Sequence, residues 1–212
     1  MQIAIVLYPE FTALDVIGPY EVLGRLPGAE IVFVAEKPGL VRNDLGTLAV
    51  DVVAGLASIT RPDVVVIGGG PGQVDQMKDG PLHEWLRAVD EHTTWTMSVC
   101  TGSLILAAAG LLRGRRATTH WGALDQLAHF GVTPTEDRVV VDGKYLIGAG
   151  VSAGIDAALT LAGRIAGDQT AQAVQLIIEY DPRPPYSAGS TATAPEPVRR
   201  AATSMLTPRH PG

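Results

Sequence analysis

The chain has 212 residues, 46% of them apolar and 18% charged, which suffices for a sizeable core in one domain, two at most, and excludes disorder for the bulk. Sixteen Lys and Arg against 22 Asp and Glu leave a net charge of −6, with no electrostatic footprint for nucleic acid or an anionic membrane surface. The single cysteine, Cys100, excludes internal disulfides and four-cysteine metal sites and points to a cytoplasmic protein.

The N-terminus lacks the basic region and cleavage signal of a secretory leader. Residues 2–7 read as a short buried strand, closed by a turn at Tyr8 and Pro9. Residues 12–26 read as a helix with a break at Gly18 and Pro19. A second strand follows at 30–35, and 45–53 reads as a hairpin arm. Residues 63–67 form a continuous apolar run ending in Gly-Gly-Gly-Pro-Gly at 68–72. A parallel strand buried on both faces meets a loop in this way at its carboxyl end. Residues 81–92 form an amphipathic helix opened by Pro81.

Residues 93–99 are β-rich and 104–112 helix-forming; this longest apolar run is about half of a membrane span. A short strand at 117–119 and a helix at 121–130 come next. Residues 138–141 and 144–147 flank Asp142 and Gly143 as a β-hairpin. Two late helices occupy 152–166 and 170–180. From Asp181 the composition turns to Pro, Ser, Thr and Ala, and 181–212 reads as an extended tail. Strands alternating with helices predict an α/β fold with a mostly parallel sheet, whose ligands bind beyond the carboxyl ends of the strands. Loops 68–72 and 100–103 lie there.

The strongest chemical signal is Thr-Met-Ser-Val-Cys-Thr-Gly-Ser at 96–103. A strand runs into a nucleophile, then small residues, then a helix, which is the pattern of a nucleophile elbow with Cys in place of Ser. The helix N-terminus behind Cys100 favours thiolate over thiol, and the N–H of Thr101 is an oxyanion donor. The bland alternative is a buried structural cysteine. The glycines at 68–70 allow close backbone approach and offer N–H groups to complete an oxyanion hole; the alternative is a flexible turn. Asp15 is either the acidic arm of a capping box with Thr12 or a general acid beside the thiol. Glu10 and Glu21 are its rivals. Burial, suggested by Leu14, Val16 and Ile17, favours Asp15. His120 is either a partner of the cysteine or a satisfied, partly buried histidine. His83, His92 and His129 read as surface residues. Trp85, Trp95 and Trp121 read as core, and Asp156 as a first-turn helix residue. No histidine pair has metal-ligand spacing, so no metal is assigned.

Several segments together resemble the ThiJ/PfpI family of the class I glutamine amidotransferase-like superfamily. They are 67–72 (IGGGPG), 98–102 (SVCTG), 106–121 (LAAAGLLRGRRATTHW) and 152–159 (SAGIDAAL). Segments 14–23 and 178–186 are similar to one branch, the isonitrile hydratases. The resemblance runs over residues 1–190 and implies one flavodoxin-like, doubly wound domain, followed by a Pro/Ala/Thr-rich tail at 191–212. It implies a homodimer without cofactor. It makes Cys100 the nucleophile, Asp15 the acid and Thr101 a catalytic neighbour. Gly70 becomes the oxyanion-side backbone and His120 a residue close to the site. Ile17 and Trp121 are candidates for the substrate pocket. The implied reaction is hydration of an isocyanide to an N-substituted formamide. The alternatives are an enzyme acting on reactive aldehydes such as glyoxals, or a redox-sensing or ligand-binding dimer. The protease-like members carry Cys-His at the elbow; Cys100-Thr101 departs from that pattern and argues against a peptidase.

Overall fold

The computed structural model describes residues 1–206. Its first half comprises β1 (Gln2–Val6), α1 (Ala13–Leu23), β2 (Glu30–Ala35), β3 (Gly39–Arg42), β4 (Ala49–Val52), β5 (Ala54–Gly55), β6 (Val64–Ile67), α2 (Gln73–Gln76) and α3 (Pro81–Asp90). Then come β7 (Trp95–Val99), α4 (Gly102–Ala108), β8 (Arg116–Ala117), a 3₁₀ helix (Trp121–Phe130), β9 (Thr133–Pro134), β10 (Val139–Asp142) and β11 (Tyr145–Gly148). Helices α5 (Ala153–Ala166), α6 (Asp168–Ile177) and α7 (Glu196–Leu206) complete it.

Seven strands form one sheet in the order β10-β11-β7-β6-β1-β2-β5, parallel throughout except for β10 with β11. This is the flavodoxin-like α/β arrangement the sequence predicts. The central strands β1, β6 and β7 are covered on both faces, so β6 is a run of four buried Val and Ile residues. The strand order reverses between β1 and β6, which places a crevice at their carboxyl ends. The loops after β1, β6 and β7 meet there.

Some elements differ from the sequence reading. Helix α1 runs unbroken through Pro19. A proline inside a helix costs about 3 kcal/mol. Here the cost is offset by burial against α5, where Gly154 leaves room for the Pro19 ring and Gly18 for Ile155. The arm expected at 45–53 is β4, and its partner β3 went unread. Residues 121–130 wind as a 3₁₀ helix, ended by Gly131 in the left-handed region. His83 is fully buried rather than at the surface, because it lies on the inward face of α3 with Leu82, Trp85, Leu86 and Val89. Trp121 is exposed, while Trp85 is buried and donates from Nε1 to Ile59 O at 2.6 Å.

The first compact unit is Met1–Ile178, shorter than the expected 1–190, and no described residue beyond Val174 is buried. A second unit begins at Glu179. It is not wholly extended. Pro195 accepts the first helical bonds, Arg199 bridges to Glu196 at 2.8 Å, and alanines favour the helix α7. The end of the expected tail, 207–212, lies outside the described residues. Among the described residues no helix is long and apolar enough to cross a membrane.

Candidate active site

Cys100 follows β7 directly and takes φ of +56°, a left-handed conformation that strains any residue but glycine. The surroundings enforce it. The Cys100 N–H donates to Gly148 O (3.1 Å), the last residue of β11, and to Ala149 O (2.9 Å) just after it. Its carbonyl accepts from Thr119 Oγ1 at 2.9 Å and Ser103 Oγ at 3.2 Å. The strand-to-helix turn lifts the side chain to the sheet's carboxyl edge, as the elbow pattern requires.

Asp15 reaches the thiol from the first turn of α1, and its side chain is fully buried. Oδ2 accepts the Gly69 N–H at 2.8 Å, and Oδ1 accepts no hydrogen bond. The Cys100 thiol lies against the same carboxyl group. The capping-box alternative fails on geometry. Thr12 is the N-cap but makes no side-chain cap bond, and its N–H is taken by Gly69 O at 2.9 Å. Asp15 is thus free of helix capping. The rivals stand elsewhere: Glu10 is exposed and Glu21 pairs with Arg25.

Burial pushes the Asp15 carboxyl up to about 7, against the downward pull of the Gly69 N–H and the Cys100 thiol, and Asp44 adds to the rise. Cys100 is pushed up to about 12, first by burial and then by the Asp15 charge. The N–H groups of Thr101 and Val151 pull it down but do not win. The elbow therefore holds a thiol at rest, which corrects the expectation of a thiolate: desolvation outweighs the donors of a short helix. Thiol and carboxyl share a proton problem, since the two cannot both ionise in this space.

The glycine loop supplies the rest. A Cβ on Gly69 would fall 2.5 Å from Thr101 N and Oγ1, so only glycine permits this approach. Gly70 takes φ of +134° and donates its N–H to Thr101 Oγ1 at 3.1 Å. That N–H, expected to face an oxyanion, is spent on fixing the threonine hydroxyl. Thr101 is left with a hydroxyl proton to give.

His120 lies tilted against Trp121 with ring centroids 5.3 Å apart, and its ring covers Gly150. Nδ1 accepts from Gly122 N at 3.2 Å, and burial lowers the imidazole's pKa. No hydrogen bond joins it to Cys100 or Asp15 among the described residues, so it borders the site as a neutral wall. Ile17 is half-buried on α1, and nothing described brings it or Trp121 against the thiol.

Tyr8 escaped the sequence reading, which saw only a turn. It is buried at the end of β1, donates to Gly68 O at 2.8 Å, and is raised well above its usual pKa by burial and by Asp15 and Cys100. Its position at the carboxyl end of a central strand was the available signal. A cavity of about 480 Å³ beside it is lined by Tyr8, Val41, Leu56 and Leu82 and does not include Cys100 or Asp15. Among the described residues no cluster of three or more His, Cys, Asp or Glu is arranged to hold a metal.

Comparison with known proteins fits this geometry. Residues 1–164 match the DJ-1/PfpI family. The chain is 42% identical over 210 residues to an isonitrile hydratase of Pseudomonas putida, covering 97% of this chain and 92% of that protein. It is 29% identical over 147 residues to a deglycase of Pyrococcus abyssi, covering 69% and 88%. The crystal structure of a ThiJ/PfpI family protein from Pseudomonas syringae superposes with a TM-score of 0.93 at 40% identity, over 97% of this chain and 85% of that one.

Proposed function

The chain belongs to the DJ-1/PfpI family, and from that premise we propose that it is an enzyme hydrating isonitriles to N-substituted formamides through a covalent intermediate on Cys100. The observation that carries this reading is the buried pair of one thiol and one carboxyl whose pKa stands near neutrality. Likeness over nearly the whole length to an isonitrile hydratase supports it.

The terminal carbon of an isonitrile is a weak base that turns electrophilic once protonated. A site for it needs a proton on an acid near pH 7 and a soft nucleophile beside that acid. Asp15 gives its proton to the terminal carbon while the Cys100 sulfur bonds to the same carbon. The thiol's proton passes to Asp15. The sum is addition of S–H across the carbon, giving a thioimidate, R–N=CH–S–Cys. Water then adds to this carbon. Its proton goes through Asp15 to the nitrogen, with the Thr101 hydroxyl orienting the oxygen. The tetrahedral adduct expels the thiolate, which recovers the hydroxyl proton and leaves R–NH–CHO. No redox change or cofactor enters this balance. The N–H groups of Thr101 and Val151 stabilise the sulfur as it leaves. The protein is proposed to act as a homodimer.

A second reading, an enzyme acting on reactive aldehydes, is favoured by the likeness to the deglycase. A redox sensor fits less well, because ready oxidation requires a thiolate, whereas this thiol is buried with a raised pKa. The test is turnover of cyclohexyl isocyanide to its formamide by purified protein, with Cys100→Ala in parallel. Turnover lost in the variant is the expected result. Absence of turnover in the wild type, with conversion of methylglyoxal instead, would move the assignment to the aldehyde enzyme.

A further inference from the structure

Tyr8 and Asp15 are joined through one peptide unit. The phenol of Tyr8, buried just beyond the end of β1, donates to Gly68 O at 2.8 Å. That carbonyl belongs to the same peptide as the Gly69 N–H, which donates to Asp15 Oδ2 at 2.8 Å. The next peptide is used in the same way. Gly69 O accepts from the Thr12 N–H at 2.9 Å, and the Gly70 N–H donates to Thr101 Oγ1 at 3.1 Å. The glycine loop is thus two consecutive bridges, the first ending on the acid and the second tying the start of α1 to the elbow. Side chains could not steer the first bridge. A Cβ on Gly68 would fall 2.9 Å from the Asp15 Cβ, and one on Gly69 would fall 3.1 Å from Asp15 Oδ2. Glycines bring this peptide close to the acid, and a donor on its carbonyl is left to fix its plane.

We propose that Tyr8 is a positioning residue for Asp15: its phenol pins the Gly68–Gly69 peptide, keeps the Gly69 N–H on Oδ2, and so leaves Oδ1 as the oxygen that carries and delivers the proton. The proposal rests on the reading of Asp15 as the proton donor. A carboxylic acid accepts best at the oxygen without the hydrogen. An N–H fixed on Oδ2 therefore places the hydrogen on Oδ1, which accepts no hydrogen bond. A phenol that donates to an amide carbonyl also makes the N–H of that amide a stronger donor. Tyr8 keeps its proton for this, since burial and the charges of Asp15 and Cys100 raise its pKa well above the usual value. The other groups that bear on Asp15 are Cys100 from the elbow and the charge of Asp44 between β3 and β4. On α1, Glu21 is bound to Arg25; on α5, which packs against α1, Asp156 is bound to Arg138.

Tyr8→Phe keeps the ring and takes the phenol donor from Gly68 O. The readout that does not depend on turnover is the infrared carbonyl band of protonated Asp15, assigned by its loss in Asp15→Asn and titrated across pH. The wild-type midpoint is expected near pH 7. The Gly69 N–H favours the ionised form, so weakening it moves the midpoint up by about half a unit, a roughly threefold gain in proton affinity. The alkaline limb of isocyanide hydration moves up with it, while kcat at the optimum falls about fivefold and KM changes by less than about twofold. Tyr145→Phe is the control: it removes another phenol bond, to Asp90 at 2.8 Å, and leaves the midpoint in place. A midpoint unmoved by Tyr8→Phe, or moved equally by Tyr145→Phe, overturns the proposal, as does a wild type without protonated Asp15 near neutrality. A midpoint shifted upward in a protein that does not hydrate isocyanides keeps Tyr8 in its role and rejects the hydratase reading. Hydration with an unmoved midpoint does the reverse.

Discussion

Two aspartates, Asp15 fully buried and Asp90 partly so, mark opposite poles of the sheet and are treated in opposite ways. Asp90 ends α3 at the amino edge of β7 and β11. Its carboxylate meets Lys144 Nζ at 3.1 Å, Tyr145 Oη at 2.8 Å and Thr96 Oγ1 at 3.3 Å. Asp15 sits at the carboxyl edge with one backbone N–H and an oxygen that accepts nothing. The first acid is surrounded by donors and a cation, as a partly buried charge requires. The second has one backbone N–H and the thiol beside it, and no cation. A fold that can satisfy Asp90 so fully shows that the poverty around Asp15 is a local condition, and it is the one that leaves a carboxylic acid with a proton to donate near neutral pH. The residue type is the same; the donors within reach decide whether it stabilises the fold or serves the chemistry.

The sharpest way to break this comparison is Asp15→Asn. Hydration should fall at least a hundredfold, the loss expected when a proton donor is removed. Stability should move the other way. Asp15 rises from 3.8 in the unfolded chain to about 7 in the fold. A raised pKa gives stability that is complete below about pH 4 and is lost as pH climbs through 7. The variant escapes that loss. It should match the wild type at pH 4 and exceed it at pH 8 by on the order of 3–4 kcal/mol, roughly 10 °C in Tm for a chain of this size. Thermal unfolding at the two pH values measures it. A variant no more stable at pH 8 than the wild type would mean that Asp15 is as well served as Asp90.

How much of this contrast the sequence carried follows from range. The strand-then-small-residue patterns at 63–72 and 95–103 are local, and they located β6, β7, the glycine loop and Cys100. Asp15 was legible through its apolar neighbours, since burial of a helix face is a local periodicity. The protonation of Cys100 was not: the helix behind it is visible in sequence, whereas the desolvation that outweighs it comes from elements far along the chain. Likewise Gly70 looked free for an oxyanion because the Thr101 hydroxyl that uses its N–H is 31 residues away. Asp44 lay in a stretch without motif, and Tyr8 read as a turn. His83 was misplaced because polarity was weighed above its position on the buried face of α3.

Asp90→Asn tests the other pole. It keeps an acceptor for Tyr145 or for Thr96, which donate to different oxygens, and leaves Lys144, itself partly buried, without its counter-charge. The expected cost is about 2 kcal/mol by denaturant unfolding, the usual worth of a charge-assisted bond in such a place. The pH profile of turnover should not move, because Asp90 lies at the far edge of the sheet from Cys100.

The smallest change separates charge from hydrogen bonding at that pole. Tyr145→Phe removes the 2.8 Å bond to Asp90 while Lys144 stays at 3.1 Å. Burial and the Asp90 charge already hold the phenol well above its usual pKa, so it is neutral and a donor throughout the working range. Its loss should therefore cost about 1 kcal/mol, independent of pH between 5 and 9. The guanidinium of Arg115, 4.6 Å from the ring centroid, keeps its contact with the phenylalanine face. A pH-dependent cost between 5 and 9 would overturn the reading of this phenol as a neutral donor whose bond is separable from the Asp90–Lys144 charge pair.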